Sequence, residues 1–136
     1  VLGCTTSILN SLLPDLQKNT NIYETLNIFY KNLDNDNFIV HYLNWEIELI
    51  HQLGFGINIE DKNNLKENHN DLYSYKIDEF VYEIPNFLVS KEINSNFSNQ
   101  LIKKGLTFTR NLFFNKIFNV NNIQLPRQRI ILEKYF

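Results

Sequence analysis

Residues 37–56 read NFIVHYLNWEIELIHQLGFG, and the pattern of this stretch decides the fold. One apolar stripe recurs along it at helical spacing, formed by Phe38, Tyr42, Trp45, Leu49 and Leu53. Other apolar residues widen the stripe over most of the circumference, which is typical of a helix at the centre of a core. Gly54 can end the helix, because glycine adopts the left-handed C-cap conformation without strain. The pattern therefore predicts a central helix over roughly 37–53.

Helical patterns also lie on both sides of this stretch. Upstream, apolar spacing predicts one helix over 2–13, ended by the proline that follows, and a second over roughly 22–33. Downstream, a long helix is predicted to begin near Ser95 or Asn96, and Pro126 suits the first turn of a last helix. With the central helix, these patterns predict about five helices.

A small β-element is predicted between the central helix and the long helix. Residues 72–75 and 80–82 are rich in aromatic and β-branched side chains and flank a short polar link, which favours a hairpin. The polar stretch 60–71 shows no period and predicts a loop. The predicted fold class is therefore mainly α: a single helical domain over 1–136, with one short β-hairpin inserted after the central helix.

Composition excludes several classes of protein. The 136 residues are 43% hydrophobic and include 19 aromatics (Phe 11, Tyr 7, Trp 1), which suffices for a core and is unlike a disordered chain. The single cysteine, Cys4, rules out an internal disulfide and a cysteine-based zinc finger. No apolar run approaches the roughly 18 residues of a membrane span, and no signal-peptide pattern is present. An intracellular setting without a membrane partner is therefore expected.

Charge is unevenly distributed along the chain. Residues 1–100 hold 6 Lys or Arg against 14 Asp or Glu, a net of −8, whereas residues 101–136 hold 7 against 1, a net of +6. The candidate binding residues are cations of this basic end: Lys103, Lys104, Arg110, Lys116, Arg127 and Arg129. Two interpretations are open: a surface for an anionic partner, or a basic end that faces the acidic part inside one fold.

No catalytic site can be assembled from the sequence. The three histidines, His41, His51 and His69, lack a Glu or Cys at metal-ligand spacing. Cys4 lies in an apolar helical pattern and is predicted to be a small core residue. Glu46 is flanked by apolar residues, which favours a structural hydrogen bond to a helix end or turn over acid–base chemistry. We therefore expect no enzyme, no catalytic residues and no metal site.

Residues 45–56 resemble a family signature. The run WEIELIHQLGFG is similar to the aromatic-Glu-x-x-Leu-Leu-x-x-Leu-Gly-[Phe/Tyr]-Gly motif of RecO, the bacterial recombination-mediator family. Five further matches follow the family's order: 11–14 with 21–23, 72–75, 84–88, 108–110 and 125–129. Together they cover essentially the whole chain and indicate a resemblance to the C-terminal helical domain of that family.

The resemblance implies a domain organisation, partners and a location. RecO has an N-terminal OB-fold and a C-terminal helical domain, so this chain is expected to be the helical domain without the upstream OB-fold. The family is not enzymatic: it binds single- and double-stranded DNA, anneals strands, partners RecR, recognises the acidic C-terminal tail of single-stranded-DNA-binding protein (SSB) and helps to load RecA. A role in DNA repair, recombination and the DNA damage response, in the bacterial cytoplasm and associated with the nucleoid, is accordingly expected.

One departure from the family concerns zinc. Many members hold zinc with cysteines in the loop after the Gly-Phe-Gly turn, whereas here Lys62 stands near the first of those positions and no cysteine follows. Zinc and other cofactors are therefore not expected. The hairpin is then expected to be held by aromatic and aliphatic packing on the helices, through Leu72, Tyr73, Tyr75, Phe80 and Tyr82.

The basic end fits what the resemblance implies for the SSB tail. That tail is acidic and ends in a Phe carboxylate, so its receptor needs a basic rim and an apolar pocket. The six cations are predicted to form the surface, with Lys103 and Arg110 foremost, and three rings are predicted to help line the pocket: Phe108, Phe113 and Phe114. DNA contact by this chain alone is expected to be weak and salt-dependent. A helical nucleic-acid-binding or protein–protein interaction module of another family is the alternative.

Overall fold

The computed structural model describes residues 2–11, 21–34, 37–52, 65–67, 71–77, 79–92, 97–118 and 124–136. Its α-helices are α1 (Leu2–Ser11), α2 (Asn21–Lys31), α3 (Phe38–Gln52), α4 (Asn86–Ser90), α5 (Asn99–Phe113) and α6 (Arg127–Leu132). Its strands are β1 (Leu65–Glu67), β2 (Leu72–Ile77) and β3 (Phe80–Pro85). A π-helical turn, Phe114–Phe118, continues α5, and a 3-10 turn, Glu133–Tyr135, continues α6. The predicted class, mainly helical with a small β-element after the central helix, is confirmed.

The central helix α3 lies in the middle of the core, as its sequence predicts. It contacts both α2 and α5, and most of its side chains from Ile39 to Ile50 are buried. Phe29 of α2 forms an aromatic cluster with Tyr42 and Trp45, with ring centroids 5.8–5.9 Å apart. Because burying a large apolar side chain stabilises a fold by about 1.5–3 kcal/mol, this cluster anchors α2 to α3.

The long helix α5 approaches α3 closely. Its N-cap is Ser98, whose Oγ accepts the backbone N–H of Leu101 at 3.3 Å, so the described helix begins one residue later. The predicted start at 95–96 lies outside the described residues. A Cβ added to the buried Gly105 would lie 2.9 Å from Cδ1 of Leu43, so only glycine fits here without displacing its neighbour. The absence of a side chain therefore sets the spacing of α3 and α5.

The sheet is antiparallel, with the strand order β1-β2-β3. Strands β2 and β3 form the predicted hairpin, in which Ile77 pairs with Phe80 beside the turn. The prediction of a loop over 60–71 is wrong in part, because β1 pairs with residues 73–75 of β2. In β1 Leu65 packs half-buried against the core while Lys66 and Glu67 are exposed, and one apolar side chain leaves no hydrophobic period in the sequence.

The hairpin packs on the helices through alternate side chains. Tyr75 and Tyr82 are buried, and the ring of Tyr82 meets that of Phe108 in α5 edge to face at a centroid distance of 5.9 Å. Tyr73 is half-buried against the core. Phe80 departs from the expectation of packing, because it lies at the turn end of β3 and is 50% exposed.

Helices α1 and α6 contact each other and bring the two ends of the described chain together. Cys4 of α1 is buried, as predicted, and its thiol donates to the carbonyl oxygen of Gln128 at 3.2 Å. Burial raises the pKa of the Cys4 thiol. A protonated thiol is a poor nucleophile, so Cys4 acts as a core residue.

A short helix, α4, directly follows β3, where the sequence analysis assigns no element. Its Phe87 ring stacks on Phe97 with a centroid distance of 4.2 Å. The helix ends at Ser90, and the C-cap residue Lys91 adopts a left-handed conformation with φ of 57°. A helix of five residues is too short to produce a helical period, so packing rather than pattern determines it.

Candidate functional site

The six predicted binding cations lie on three neighbouring elements. Three are on α5, one on the π-helical turn and two on α6: Lys103, Lys104, Arg110, Lys116, Arg127 and Arg129. Their surroundings differ greatly, since some are exposed, some are half-buried and one is completely buried. The structure brings two of them together in a groove and takes one into the core.

The groove runs between α5 and β3 and has a volume of about 640 Å³. Strand β3 contributes Val81, Tyr82 and Glu83 to its lining. Helix α5 contributes the two lysines and four further residues: Gln100, Lys103, Lys104, Thr107, Phe108 and Asn111. Each of these α5 positions has others three or four residues away, so together they share one face of the helix. Ligand sites commonly have volumes of about 300–1,000 Å³, and the groove falls in this range.

The groove combines a cationic rim with an apolar wall. Tyr82 and Phe108 are largely buried but reach the lining, and Val81 beside them is 67% exposed. Of the three predicted pocket rings only Phe108 lines the groove. Phe113 is fully buried in the core, and Phe114 is 55% exposed outside the lining. The predicted pocket is therefore corrected to one phenylalanine and the hairpin residues that face it.

An ion pair spans the groove from α5 to β3. Lys104 Nζ donates to Glu83 Oε2 at 2.9 Å, and the two side chains are 51% and 52% exposed. A pair this exposed contributes about 0–1 kcal/mol, so water and other anions compete with it. Lys103 makes no ion pair within the part of the chain that the structure describes. Lys103 is thus the groove cation that is available to an outside anion without displacing a carboxylate.

Arg110 is a surface cation with a fixed partner. Its Nη1 donates to Glu133 Oε2 at 2.9 Å, and the Arg110 side chain is 40% exposed. It shares a helix stripe with Lys103 and Thr107, as the spacing predicts, but lies seven residues, or about 10 Å, farther along α5 than Lys103. Arg110 does not line the groove, so a ligand would need to extend beyond the groove to reach it.

Arg129 corrects the predicted surface, because its side chain is completely buried. Its Nε donates to Glu46 Oε2 at 2.7 Å, and its Nη1 donates to Glu133 Oε1 at 3.2 Å. Its Nη2 donates to the carbonyl oxygen of Leu106 and to Thr109 Oγ1, both at 2.8 Å. A buried guanidinium needs such partners to offset its desolvation. Arg129 therefore holds α6 against α3 and α5 and cannot contact an outside ligand.

Glu46 is the buried counterion of Arg129. It has a structural role, as predicted, but its partner is an arginine rather than a helix end or turn. Tyr42 Oη donates to Glu46 Oε2 at 3.2 Å, and Thr109 Oγ1 donates to Oε1 at 2.9 Å. Burial alone would lower the pKa of Arg129, but the attraction and hydrogen bond of Glu46 outweigh it and raise that pKa. Burial, followed by the charge of Glu46, raises the pKa of Tyr42 well above its ordinary value.

Lys116 and Arg127 do not belong to the groove lining. Lys116 lies half-buried on the π-helical turn, and its side chain is not without a partner. Arg127 is exposed at the first position of α6. A contribution of either side chain to a binding surface remains a prediction.

The β3 wall of the groove is not predicted from the sequence. Val81 and Glu83 are exposed, whereas Tyr82 and Ile84 between and after them are buried. This alternation is visible in the sequence as Val-Tyr-Glu-Ile and indicates which side chains face outward. Their proximity to Lys103 depends on a contact between distant parts of the chain, which the sequence pattern does not contain.

Two kinds of feature are absent from the described residues. Within them, no group of three or more His, Cys, Asp or Glu side chains could hold a metal ion. No helix in the same ranges has the length and hydropathy that crossing a membrane requires. Lys62 and His69 lie outside the described residues. His41 is half-buried on α3, and burial lowers its pKa.

Comparison with known proteins gives one finding. The sequence model of the family described as Recombination protein O C terminal matches residues 3–131. No curated protein and no solved structure matches the chain. The matched range covers α3, the hairpin, α5 and almost all of α6, and so includes every residue that lines the groove.

Proposed function

Because the chain belongs to the family of RecO C-terminal domains, we propose that its groove between α5 and β3 receives the acidic C-terminal tail of SSB. The family acts in recombination and repair as a mediator. In this proposal the chain carries out no bond-making chemistry. It holds protein partners of the recombination machinery close to DNA.

The observation that carries the proposal is the juxtaposition of two lysines with an apolar wall. Lys103 and Lys104 line the groove from α5, and two rings belong to the same lining: Phe108 on that helix and Tyr82 on the facing strand β3. A tail with acidic side chains and a terminal Phe carboxylate presents both features that this groove would bind. Lysine ammonium groups can bind carboxylates, while the wall can contact the terminal ring. A purely solvated helix face would have the lysines without the wall.

The remaining partners follow from family membership. RecR binding, strand annealing with single- and double-stranded DNA, and indirect assistance to RecA loading are proposed for the protein to which this domain belongs. A cytoplasmic, nucleoid-associated location and the absence of zinc or another cofactor belong to the same proposal. Cys4 is the only cysteine of the chain, which supports the absence of a cysteine-ligated zinc.

A titration with a fluorescent SSB-tail peptide tests the proposal. We expect Lys103→Ala to weaken binding about tenfold, because one hydrogen bond to a charged group contributes about 1.5–3 kcal/mol. Arg110→Ala tests whether the peptide extends past the groove, and a smaller loss is expected. Lys134→Ala removes an exposed lysine from the 3-10 turn outside the groove and serves as the matched control. Equal affinities for the wild type and Lys103→Ala would refute the proposal.

Direct DNA binding by this domain is a second candidate function. Phe114 is 55% exposed and lies four residues after Arg110, so a ring and a cation share one side of the helix. Aromatic rings and cations together bind single strands by stacking and by phosphate contact. With a net charge of −2, we expect weak oligonucleotide binding that falls steeply with salt. Tight binding that salt leaves unchanged would contradict this expectation.

A further inference from the structure

The groove lies beside β3, which is an edge strand of the sheet that the structure describes. Three consecutive residues of β3 line it: Val81, Tyr82 and Glu83. Neighbouring side chains of a strand point to opposite faces, as the exposed Val81 and Glu83 and the buried Tyr82 show. Consecutive residues can line one groove where that groove runs along the strand's edge. In the described sheet β3 is a terminal strand, with β2 on its other side.

The register shows which main-chain groups of β3 face this edge. Leu72 pairs with Pro85, so the next pair outward places Asp71 opposite Asn86. The backbone N–H of Asn86 donates to the carbonyl oxygen of Asp71 at 2.9 Å, which makes this a hydrogen-bonded pair. Such pairs alternate with non-bonded ones along an antiparallel ladder. Ile84, Tyr82 and Phe80 therefore bond to β2, whereas residues 81, 83 and 85 turn their main-chain groups away from it.

Pro85 supports this assignment independently. A proline lacks the N–H that a bonded position needs, and it is tolerated in a strand where that group would face away from the ladder. Val81 and Glu83 occupy non-bonded positions of the ladder, as Pro85 does. Each therefore directs one N–H and one C=O towards the groove. Within the described residues, neither backbone position bonds to the main chain of another element, and Val81 is 67% exposed.

We propose that the β3 edge binds an extended acidic peptide as an additional strand, through the main-chain groups of Val81 and Glu83. This inference rests on the proposed function and specifies the conformation and contacts of the peptide in the same groove. Strand addition draws affinity from main-chain hydrogen bonds and specificity from alternate side chains. Lys103 and Lys104 flank the edge, so the alternate side chains that face α5 are the acidic ones.

Charge complementarity favours an acidic peptide over a second copy of this chain. Two copies meeting edge to edge at β3 would bring together four lysines, two from each α5, and two Glu83 carboxylates, and the excess of positive charge is unfavourable. An acidic peptide instead brings carboxylates to the same lysines. The Glu83 carboxylate, which pairs with Lys104 at 2.9 Å, is then exchanged for a carboxylate of the peptide.

The test is an N-methyl scan of the SSB-tail peptide against the unmodified protein. N-methylation removes one N–H at a time without changing any side chain. We expect alternation: methylation at every second residue across the bound segment weakens binding about tenfold or more, because a hydrogen bond is lost and the added methyl group meets the strand edge. Methylation at the intervening residues changes affinity less than about threefold. Neither a helical nor an irregular bound peptide would produce this period of two.

A protein variant provides the complementary measurement. Val81→Pro removes the outward N–H while every ladder bond to β2 is retained, and Val81→Ala is the matched control that keeps the N–H. We expect Val81→Pro to weaken peptide binding at least fivefold more than Val81→Ala, with circular dichroism confirming that both remain folded. If Val81→Pro does not fold, the peptide scan alone decides.

The outcomes separate the two proposals. No binding of the unmethylated peptide, or binding that Lys103→Ala leaves unchanged, overturns the proposed function and this inference with it. Lysine-dependent binding with no alternation in the scan overturns only the strand addition. Concentration-dependent self-association that Val81→Pro abolishes would identify a second copy as the occupant and would also overturn it.

Discussion

Two ion pairs of nearly equal length have very different surroundings in this protein. Arg129 and Glu46 are 2.7 Å apart with both side chains completely buried, whereas Lys104 and Glu83 are 2.9 Å apart and each is about half exposed. The buried pair is shielded from solvent and depends on its hydrogen-bonding partners. The exposed pair exchanges with water and contributes little to stability. Burial rather than charge thus decides whether a cation of the basic end supports the fold or can bind a partner.

The largest expected effect comes from breaking the buried pair. Arg129→Leu leaves the Glu46 carboxylate without its counterion in the core, so we expect a loss of about 3–5 kcal/mol in the free energy of unfolding. Urea denaturation followed by circular dichroism measures it. Arg127→Leu, two residues earlier on the exposed side of α6, is the control and should change stability by less than about 0.5 kcal/mol. Similar losses of unfolding free energy in Arg129→Leu and Arg127→Leu would show that burial does not distinguish the two arginines.

A single hydroxyl tests how much the buried cluster depends on its hydrogen bonds. Thr109 Oγ1 accepts from Arg129 and donates to Glu46. Thr109→Val preserves the shape but leaves both groups short of a partner, and we expect a loss of about 1–3 kcal/mol in thermal or urea unfolding. Thr109→Ser keeps the hydroxyl and should lose less. If the valine variant were as stable as the serine variant, the hydroxyl would not bridge the pair.

Alkaline pH should weaken the buried region through Tyr42. The pKa of this phenol is raised in the folded protein, so between the unfolded value of about 10 and the raised value the native state binds more protons than the unfolded state. The free energy of unfolding therefore falls as pH rises above about 10. Tyr42→Phe should flatten part of that slope in pH-dependent urea denaturation, whereas Tyr135→Phe, at a 75% exposed position, should not. If the unfolding free energy fell with pH equally in the wild type, Tyr42→Phe and Tyr135→Phe, Tyr42 would not be the group responsible.

The smallest effect is expected at the exposed pair. Glu83→Gln removes the carboxylate that competes for Lys104, so we expect the affinity for the SSB-tail peptide to rise by up to about fivefold, in line with the 0–1 kcal/mol of an exposed pair. Stability should change by less than about 0.5 kcal/mol. In a Lys104→Gln background the same substitution should have a smaller effect, and anisotropy titrations of the four proteins measure the coupling. A decrease in affinity in Glu83→Gln would show that Glu83 is not a competitor.

The sequence predicts the regular parts of the fold well, because those parts bury a periodic face. The stripe of α3 and the alternation of the β2–β3 hairpin are examples. The strand β1 and the helix α4 are not predictable in this way, since three and five residues are too few to show a period. Helix α6 is misleading, because Arg129 is buried while the neighbouring Ile130 is 44% exposed.

The candidate site is only half predictable for a related reason. Lys103 and Lys104 are predictable from their charge and position on one helix, and these features belong to local sequence. Which arginine points inward depends on Glu46, which is 83 residues away in the chain. The β3 wall likewise arises from a distant pairing with α5. Local sequence thus identifies the cations, while long-range contacts decide which of them remain at the surface.

Glu133 connects the buried ion pair to the surface cation Arg110, and this connection affects the conformational entropy that is lost on binding. One of its carboxylate oxygens is held by the buried Arg129 and the other holds the half-exposed Arg110. The Arg110 side chain is therefore tethered before any ligand arrives, and it has fewer rotamers to lose when an anion binds than a free lysine has. Its Nη1 is engaged by Glu133, while the rest of the guanidinium fork can still be offered outward in a defined orientation. The core thus preorganises one cation at the surface of α5.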